Sequence, residues 1–303
     1  MVDLGGPTST PFSKMIQRRL GKTGVKLPAI GLGTWRYQGG VEPLQVGVAL
    51  GARFIDTAES YGTEDVVGQA IQEIRQKVFL ATKVAPRHFK HSEVIHAANE
   101  SLKRLKTDYI DLYQLHWPNY TVPIEETMGA MEELVDSGKV RFIGVSNFML
   151  HDLKNAQKAM TRHKIVSNQV RYNLIDRTIE NGLLLYCQEH DITVIAHSPF
   201  ASSLASIRAK DPENVLEKLA QAKSGTAAQI ALNWCLSKQG VVTIPKANSA
   251  EHVRENCAAS DFQLSSRELQ ILDTKLQFRR RGFLEMELRR FARHALQMAG
   301  RNQ

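Results

Sequence analysis

Eight short runs of apolar and β-branched residues recur along this 303-residue chain, at 29–32, 53–55, 78–81, 109–115, 140–145, 165–167, 193–196 and 241–244. Between most of them lie amphipathic stretches of helical length, for example 92–105, 124–135 and 178–190, in which leucine, isoleucine and alanine return every three or four residues. Strand and helix therefore alternate throughout. The length suits one barrel and no linker divides the repeats, so the pattern predicts an α/β protein, a closed (β/α)8 TIM barrel rather than an open doubly wound sheet.

In that fold the carboxyl ends of the strands carry the active site. Asp56 follows Phe54 and Ile55, Lys83 follows residues 80–82 and His116 follows residues 113–115, while Tyr61 lies in the second βα loop. Taken singly, each has an ordinary reading: a helix cap, a surface charge, a satisfied turn residue. Taken together at one mouth they read as a phenol acid with its tuning partners. Tyrosine, with an ordinary pKa of about 10, gives up a proton near neutral pH only if a cation stabilises the phenolate, and a carboxylate must hold that cation charged and in place. Lys83 and Asp56 suit those two roles. No metal is expected, because only His116 and His197 stand at strand ends and no carboxylate accompanies them at ligand spacing.

The stretches Gly31-Leu32-Gly33-Thr34-Trp35, Phe54-Ile55-Asp56-Thr57-Ala58, Tyr61-Gly62, Ala81-Thr82-Lys83-Val84, Leu115-His116-Trp117-Pro118, Gly144-Val145-Ser146-Asn147-Phe148, Asn168-Gln169 and Ile244-Pro245-Lys246 resemble the aldo-keto reductase family in order and spacing, over about residues 16–276. Eight such stretches in register are specific where any one is weak. The resemblance implies NAD(P)H-dependent reduction of an aldehyde or ketone to an alcohol, with Tyr61 as general acid, Lys83 and Asp56 lowering its pKa, and neutral His116 orienting the carbonyl. A nicotinamide-binding sensor or regulatory subunit with little turnover is the alternative.

Cofactor contacts follow from the same resemblance. Ser146, Asn147 and Gln169 are expected at the nicotinamide carboxamide, with Asp56, Thr34 and Trp35 nearby. The segment from Ile244 and Pro245 to Asn256 is expected at the adenosine end, with Lys246 at a 2′-phosphate and Asn248, Glu255 and Asn256 around ribose and adenine. Two positions depart from the family. His252 stands where arginine is common, so the planar phosphate fork is missing; NADPH is expected, with NADH tolerated. His197, followed by Ser198, Pro199 and Phe200, stands where a tyrosine usually stacks on the nicotinamide, and a smaller, titratable ring predicts a weaker, pH-dependent contact. The serine-rich stretch 201–210 reads as a short loop. Gly31-Leu32-Gly33 lacks a third glycine and is no dinucleotide fingerprint. Trp35, Trp117 and Phe148, with Tyr61 and His116, are expected to line the substrate mouth; Tyr37 and Tyr120 either add hydroxyls or pack.

The ends of the chain read differently. Residues 1–14 are expected to be a disordered arm, 15–276 the barrel with a β-hairpin around Gly21 to Gly24 plugging its far end, and 277–303 a basic extension. That extension interleaves Arg279, Arg280, Arg281, Arg289, Arg290, Arg293 and Arg301 with apolar residues at helical spacing, so it predicts an amphipathic helix packed on the barrel or over the pocket. A membrane-surface or nucleic-acid role is disfavoured, since no nucleic-acid module surrounds it and no apolar run is long enough to span a bilayer. Much of the net charge of +8 sits in this tail, and the three cysteines form no CxxC pair. A cytoplasmic protein acting on a small carbonyl compound is the expectation, monomeric, with an oligomer left open.

Overall fold

The eight apolar runs become eight parallel strands of one sheet. In the computed structural model, which describes residues 15–299, they are β3 (Leu32–Gly33), β4 (Phe54–Asp56), β5 (Phe79–Val84), β6 (Ile110–Leu115), β7 (Val140–Ser146), β8 (Ile165–Arg171), β9 (Thr193–His197) and β10 (Val241–Thr243), paired in sequence order. The sheet closes on itself: Ile30 bridges Thr243 in parallel, Gly31 N donates to the Thr243 carbonyl at 2.8 Å and Thr243 N to Ala29 at 2.8 Å. The first run thus splits its pairing between both neighbours. Closure leaves no free edge. The expected arm at 1–14 lies outside the described residues.

The two faces of the strands bury different things. Outward side chains such as Leu80, Tyr113 and Ile143 pack with the helices into the larger core, whereas Phe54, Phe79, Ala81, Leu112, Ile195 and Val242 form a separate cluster inside the barrel. The hairpin of β1 (Gln17–Arg19) and β2 (Lys26–Pro28) inserts Leu20 and Leu27, both fully buried, into that inner cluster and so plugs the far end. Its turn requires glycine: Gly21 has φ +49°, and a Cβ there would lie 2.6 Å from the Asp191 carbonyl oxygen.

Side chains alternate along a strand, so the inward positions next above the apolar plug are fixed by counting in twos. Above Phe54 comes Asp56; above Phe79 and Ala81 comes Lys83; above Leu112 comes Gln114; above Ile195 comes His197. Lys83 and Gln114 are register partners, as are Ser146 and Gln169. Apolar at one end and polar at the other, the same face of the strands makes both the core and the mouth.

Two helical expectations are revised. The stretch 178–190 is two pieces, a 3-10 turn at Thr178–Glu180 and a helix at Leu183–Glu189, separated at Gly182 with φ +100°. The stretch 201–210 contains a short helix, Leu204–Arg208, capped by Ser203, whose hydroxyl accepts from Ser206 N.

The basic extension folds across the mouth. Residues 277–282 run beside 175–178, with Arg279 N donating to Ile175 and Arg177 N to Arg279, both at 2.9 Å. The tail helix, Phe283–Met298, follows, and the Gln297 amide clamps the loop after β6, donating to the Pro118 carbonyl at 3.0 Å and accepting from Tyr120 N at 2.9 Å. Leu284, Leu288, Phe291 and Met298 face solvent. The charged side is the one turned to the barrel.

Candidate active site

The strand ends open into a cavity of about 1330 Å3. At its floor Lys83, without solvent exposure, donates to Asp56 Oδ2 at 2.6 Å, to the Thr57 carbonyl at 2.8 Å and to the Tyr61 hydroxyl at 3.3 Å. The Tyr61 hydroxyl also lies 3.3 Å from His116 Nε2. Asp56 Oδ1 accepts from Gln169 at 2.6 Å and from Gln114 at 3.2 Å. The four residues expected to act together are within one hydrogen-bonded chain, contributed by β4, the 3-10 turn Glu59–Tyr61, β5 and the loop after β6.

Their protonation follows from burial and charge. Desolvation disfavours the Lys83 ammonium, but the Asp56 carboxylate, with Tyr61, outweighs it and holds Lys83 above its ordinary value. Burial raises the Tyr61 hydroxyl; Lys83 opposes this through its charge and hydrogen bond, while Asp56 adds to it. The net shift is therefore upward, opposite to the expected lowering. Tyr61 stays protonated at neutral pH, as a proton donor must. Burial first, then the charges of Lys83 and His197, push His116 down to about 3, so its imidazole is neutral. The Ser60 hydroxyl lies 3.3 Å from His116 Nδ1; a hydroxyl donating there would leave the single ring proton on Nε2, facing Tyr61.

Around this floor the expected cofactor residues fall into two groups. Thr34, Trp35, Asp56, Ser146, Asn147, Gln169, His197, Ser198, Pro199 and Phe200 line the central cavity, and Ile244, Lys246, His252, Glu255 and Asn256 line its other end. Asn147, with φ +61°, donates to the His116 carbonyl at 3.0 Å and to Ser146 Oγ at 3.0 Å. His197 is 3.2 Å from Asn147 Oδ1 and 3.0 Å from Ser198 Oγ, and burial pushes it down to about 3. It is neutral over the working range, which removes the pH-dependent contact conceived from the sequence.

Four expected residues stand outside the cavity wall. Lys83 lies beneath it. Phe148 is packed in the core, its carbonyl accepting from Asn168. Pro245 is buried, its carbonyl accepting from Gly33 N at 3.1 Å, and Asn248 accepts from Gln38 N at 3.1 Å. Tyr37 packs, donating to the Gly40 carbonyl. Trp35 and Trp117 do line the mouth, at 54% and 37% exposure. Gln114, Ser60 and Arg171, not singled out from sequence, also stand here, and Arg281, Arg289, Arg290 and Arg293 of the tail line the cavity, as a helix over the pocket requires. Gln114 had a signal, a polar residue at an inward position of an apolar run.

A model of the aldo/keto reductase family matches residues 29–277. The chain belongs to that family. It is 42% identical over 260 residues to methylglyoxal reductase YeaE of Escherichia coli (strain K12), covering 82% of this chain and 91% of that protein. Among solved structures, an aldo/keto reductase from Klebsiella pneumoniae in complex with NADP and acetate superposes with a TM-score of 0.80 at 40% identity, covering 88% of this chain and 96% of that one. A thermostable aldo-keto reductase, Tm1743, in complex with the inhibitor epalrestat, superposes with a TM-score of 0.81 at 41% identity, covering 86% of this chain and 99% of that one. The tail helix lies beyond the matched residues.

Proposed function

We propose that the protein is an NADPH-dependent reductase of small aldehydes and ketones, with Tyr61 as the proton donor. The observation that carries this reading is the contact of one phenol hydroxyl with Lys83 and His116, each at 3.3 Å, at the floor of a cofactor-sized cavity. A carbonyl oxygen at that point accepts from Tyr61 and from His116 Nε2. As negative charge grows on it, the Tyr61 proton crosses, and Lys83, held charged by Asp56, stabilises the phenolate left behind.

The residues present fit a nicotinamide dinucleotide. The cavity, at about 1330 Å3, exceeds the roughly 300–1,000 Å3 of ordinary small-ligand pockets and runs from Tyr61 to Lys246. Lys246 is exposed and has no carboxylate partner among the described residues, which suits a 2′-phosphate. Ser146, Asn147 and Gln169 would hold the carboxamide, and Asn256 and Glu255 the adenosine end. When bound, the reduced nicotinamide supplies the hydride for the carbonyl carbon. His252 in place of the family's arginine leaves a weaker phosphate grip, so NADH is also used, at lower kcat/KM.

The E. coli relative makes methylglyoxal the first substrate to try. Tyr61→Phe should lower kcat by about 10²–10⁴-fold with the fold intact by circular dichroism. Turnover close to the parent's would remove Tyr61 from the role, and cofactor that binds but never oxidises with any aldehyde would favour a sensor.

A further inference from the structure

One tail arginine is unlike the others. Arg281 pairs with Asp176 and Glu285, Arg289 with Glu285 and Arg290 with Glu287. Arg293 has no ion pair or hydrogen bond among the described residues. It is half-buried, its guanidinium carbon sits 4.1 Å from the centroid of the Trp117 ring, and it lines the same cavity as Tyr61 and His116. Trp117 directly follows His116, so this fork of N–H donors stands over the residue next to His116 on the wall of the cavity that Tyr61 and His116 share.

Of the carboxylates nearby, two are taken by other arginines and the third is bonded to a hydroxyl. Asp152 accepts from the Tyr120 hydroxyl at 3.2 Å, Asp176 takes Arg281 and Glu287 takes Arg290. Burial pulls Arg293 below its ordinary pKa, opposed through space by Tyr120 and Asp152, neither of which forms an ion pair with it. A ligand that brings the anion relieves this.

We propose that Arg293 is an anion subsite that selects carbonyl substrates carrying a carboxylate a few bonds from the reacting carbon. The inference rests on the reductase reading and specifies its substrate class. A planar fork matches a carboxylate through two parallel N–H donors. One unpaired cation balances one negative charge, whereas a phosphate ester brings more charge to a wall that also holds Asp152 and Glu287.

The test compares kcat/KM for 4-oxobutanoate, its methyl ester and glyceraldehyde 3-phosphate, with NADPH, in the full-length protein and in R293M and R293K. The acid should exceed the ester by about tenfold or more in the parent; R293M, which keeps an aliphatic stem over Trp117, should remove that preference mainly through KM, and R293K should keep part of it. Equal use of acid and ester by the parent, a ratio unchanged in R293M, or preference for the phosphate ester overturns the proposal. Calorimetric titration with succinate reads the subsite without turnover, and its affinity should fall about tenfold in R293M. Arg293-dependent succinate binding in a protein that reduces no aldehyde would uphold the subsite and sink the reductase reading; good turnover with succinate affinity unchanged in R293M would do the reverse.

Discussion

Lys83 keeps its charge without solvent because three oxygens surround the ammonium, those of Asp56, Thr57 and Tyr61. Lys83→Met leaves a buried carboxylate without its cation, an imbalance that costs about 3–5 kcal/mol. Urea unfolding should report that loss, and adding Asp56→Asn should return most of it; strictly additive losses would mean the pair is not coupled. The pH dependence has two signs. Lys83 is raised in the folded protein, so its contribution is full below the ordinary lysine value and is lost as pH rises through the higher folded value. His116 and His197 are lowered to about 3, so the unfolded chain takes up protons first; their contribution is full above about 6.5 and is lost as pH falls from there toward 3. Unfolding free energy measured across pH 3–8 should therefore decline below about 6.5, and His116→Asn should flatten part of the decline. At this scale the meeting of Asp56, Tyr61, Lys83 and His116 at one mouth was legible because each ends or follows an apolar run. The sign of the Tyr61 shift was not, since it depends on burial that only the closed barrel creates.

Strands were more legible than helices because their signal is short-range. A β-branched run bounded by polar residues needs no partner to be recognised, and each of the eight is a strand of the barrel. The stretch 178–190 keeps its apolar spacing across Gly182, so the break at φ +100° is hidden from periodicity. The helix Leu204–Arg208 hid in a serine-rich segment whose cap, Ser203, reads equally well as loop. Phe148 misled because it follows the mouth residues Ser146 and Asn147, while its side chain turns into the core. The hairpin was visible in its glycines, and its energetic weight lies in Leu20 and Leu27 at the foot of the inner cluster. Leu27→Ala, at a site with no exposure, should cost about 2–5 kcal/mol and lower the melting temperature. Because the plug is at the opposite end from Tyr61, kcat at a permissive temperature should stay near the parent's. A change in kcat with an unchanged melting temperature would show that the plug acts on the mouth instead.

On the scale of the whole molecule, the barrel is closed by its own strands and needs nothing from the tail to complete its sheet. The sequence announced the tail as a basic amphipathic helix but not which side meets the barrel, since either face of such a helix can bury. The mouth decides it: its rim offers carbonyls, carboxylates and the Trp117 face, which satisfy arginine and glutamine and not leucine. With Leu284, Leu288, Phe291 and Met298 in solvent, the helix contributes little apolar burial, and it is held at its far end by the Gln297 clamp. Net hydrogen bonds are worth about 0.5–1.5 kcal/mol each, so the helix should open far more often than the barrel unfolds. Trypsin under native conditions should therefore cut first within the tail, at exposed Arg289 or its neighbours, before any cut elsewhere in 15–299. Gln297→Ala should speed that cut several-fold without lowering the barrel's melting temperature. Mass spectrometry of the early fragments checks both. A first cut inside the barrel, or a tail cut at the same rate in the variant, would mean that the helix is held by more than its clamp.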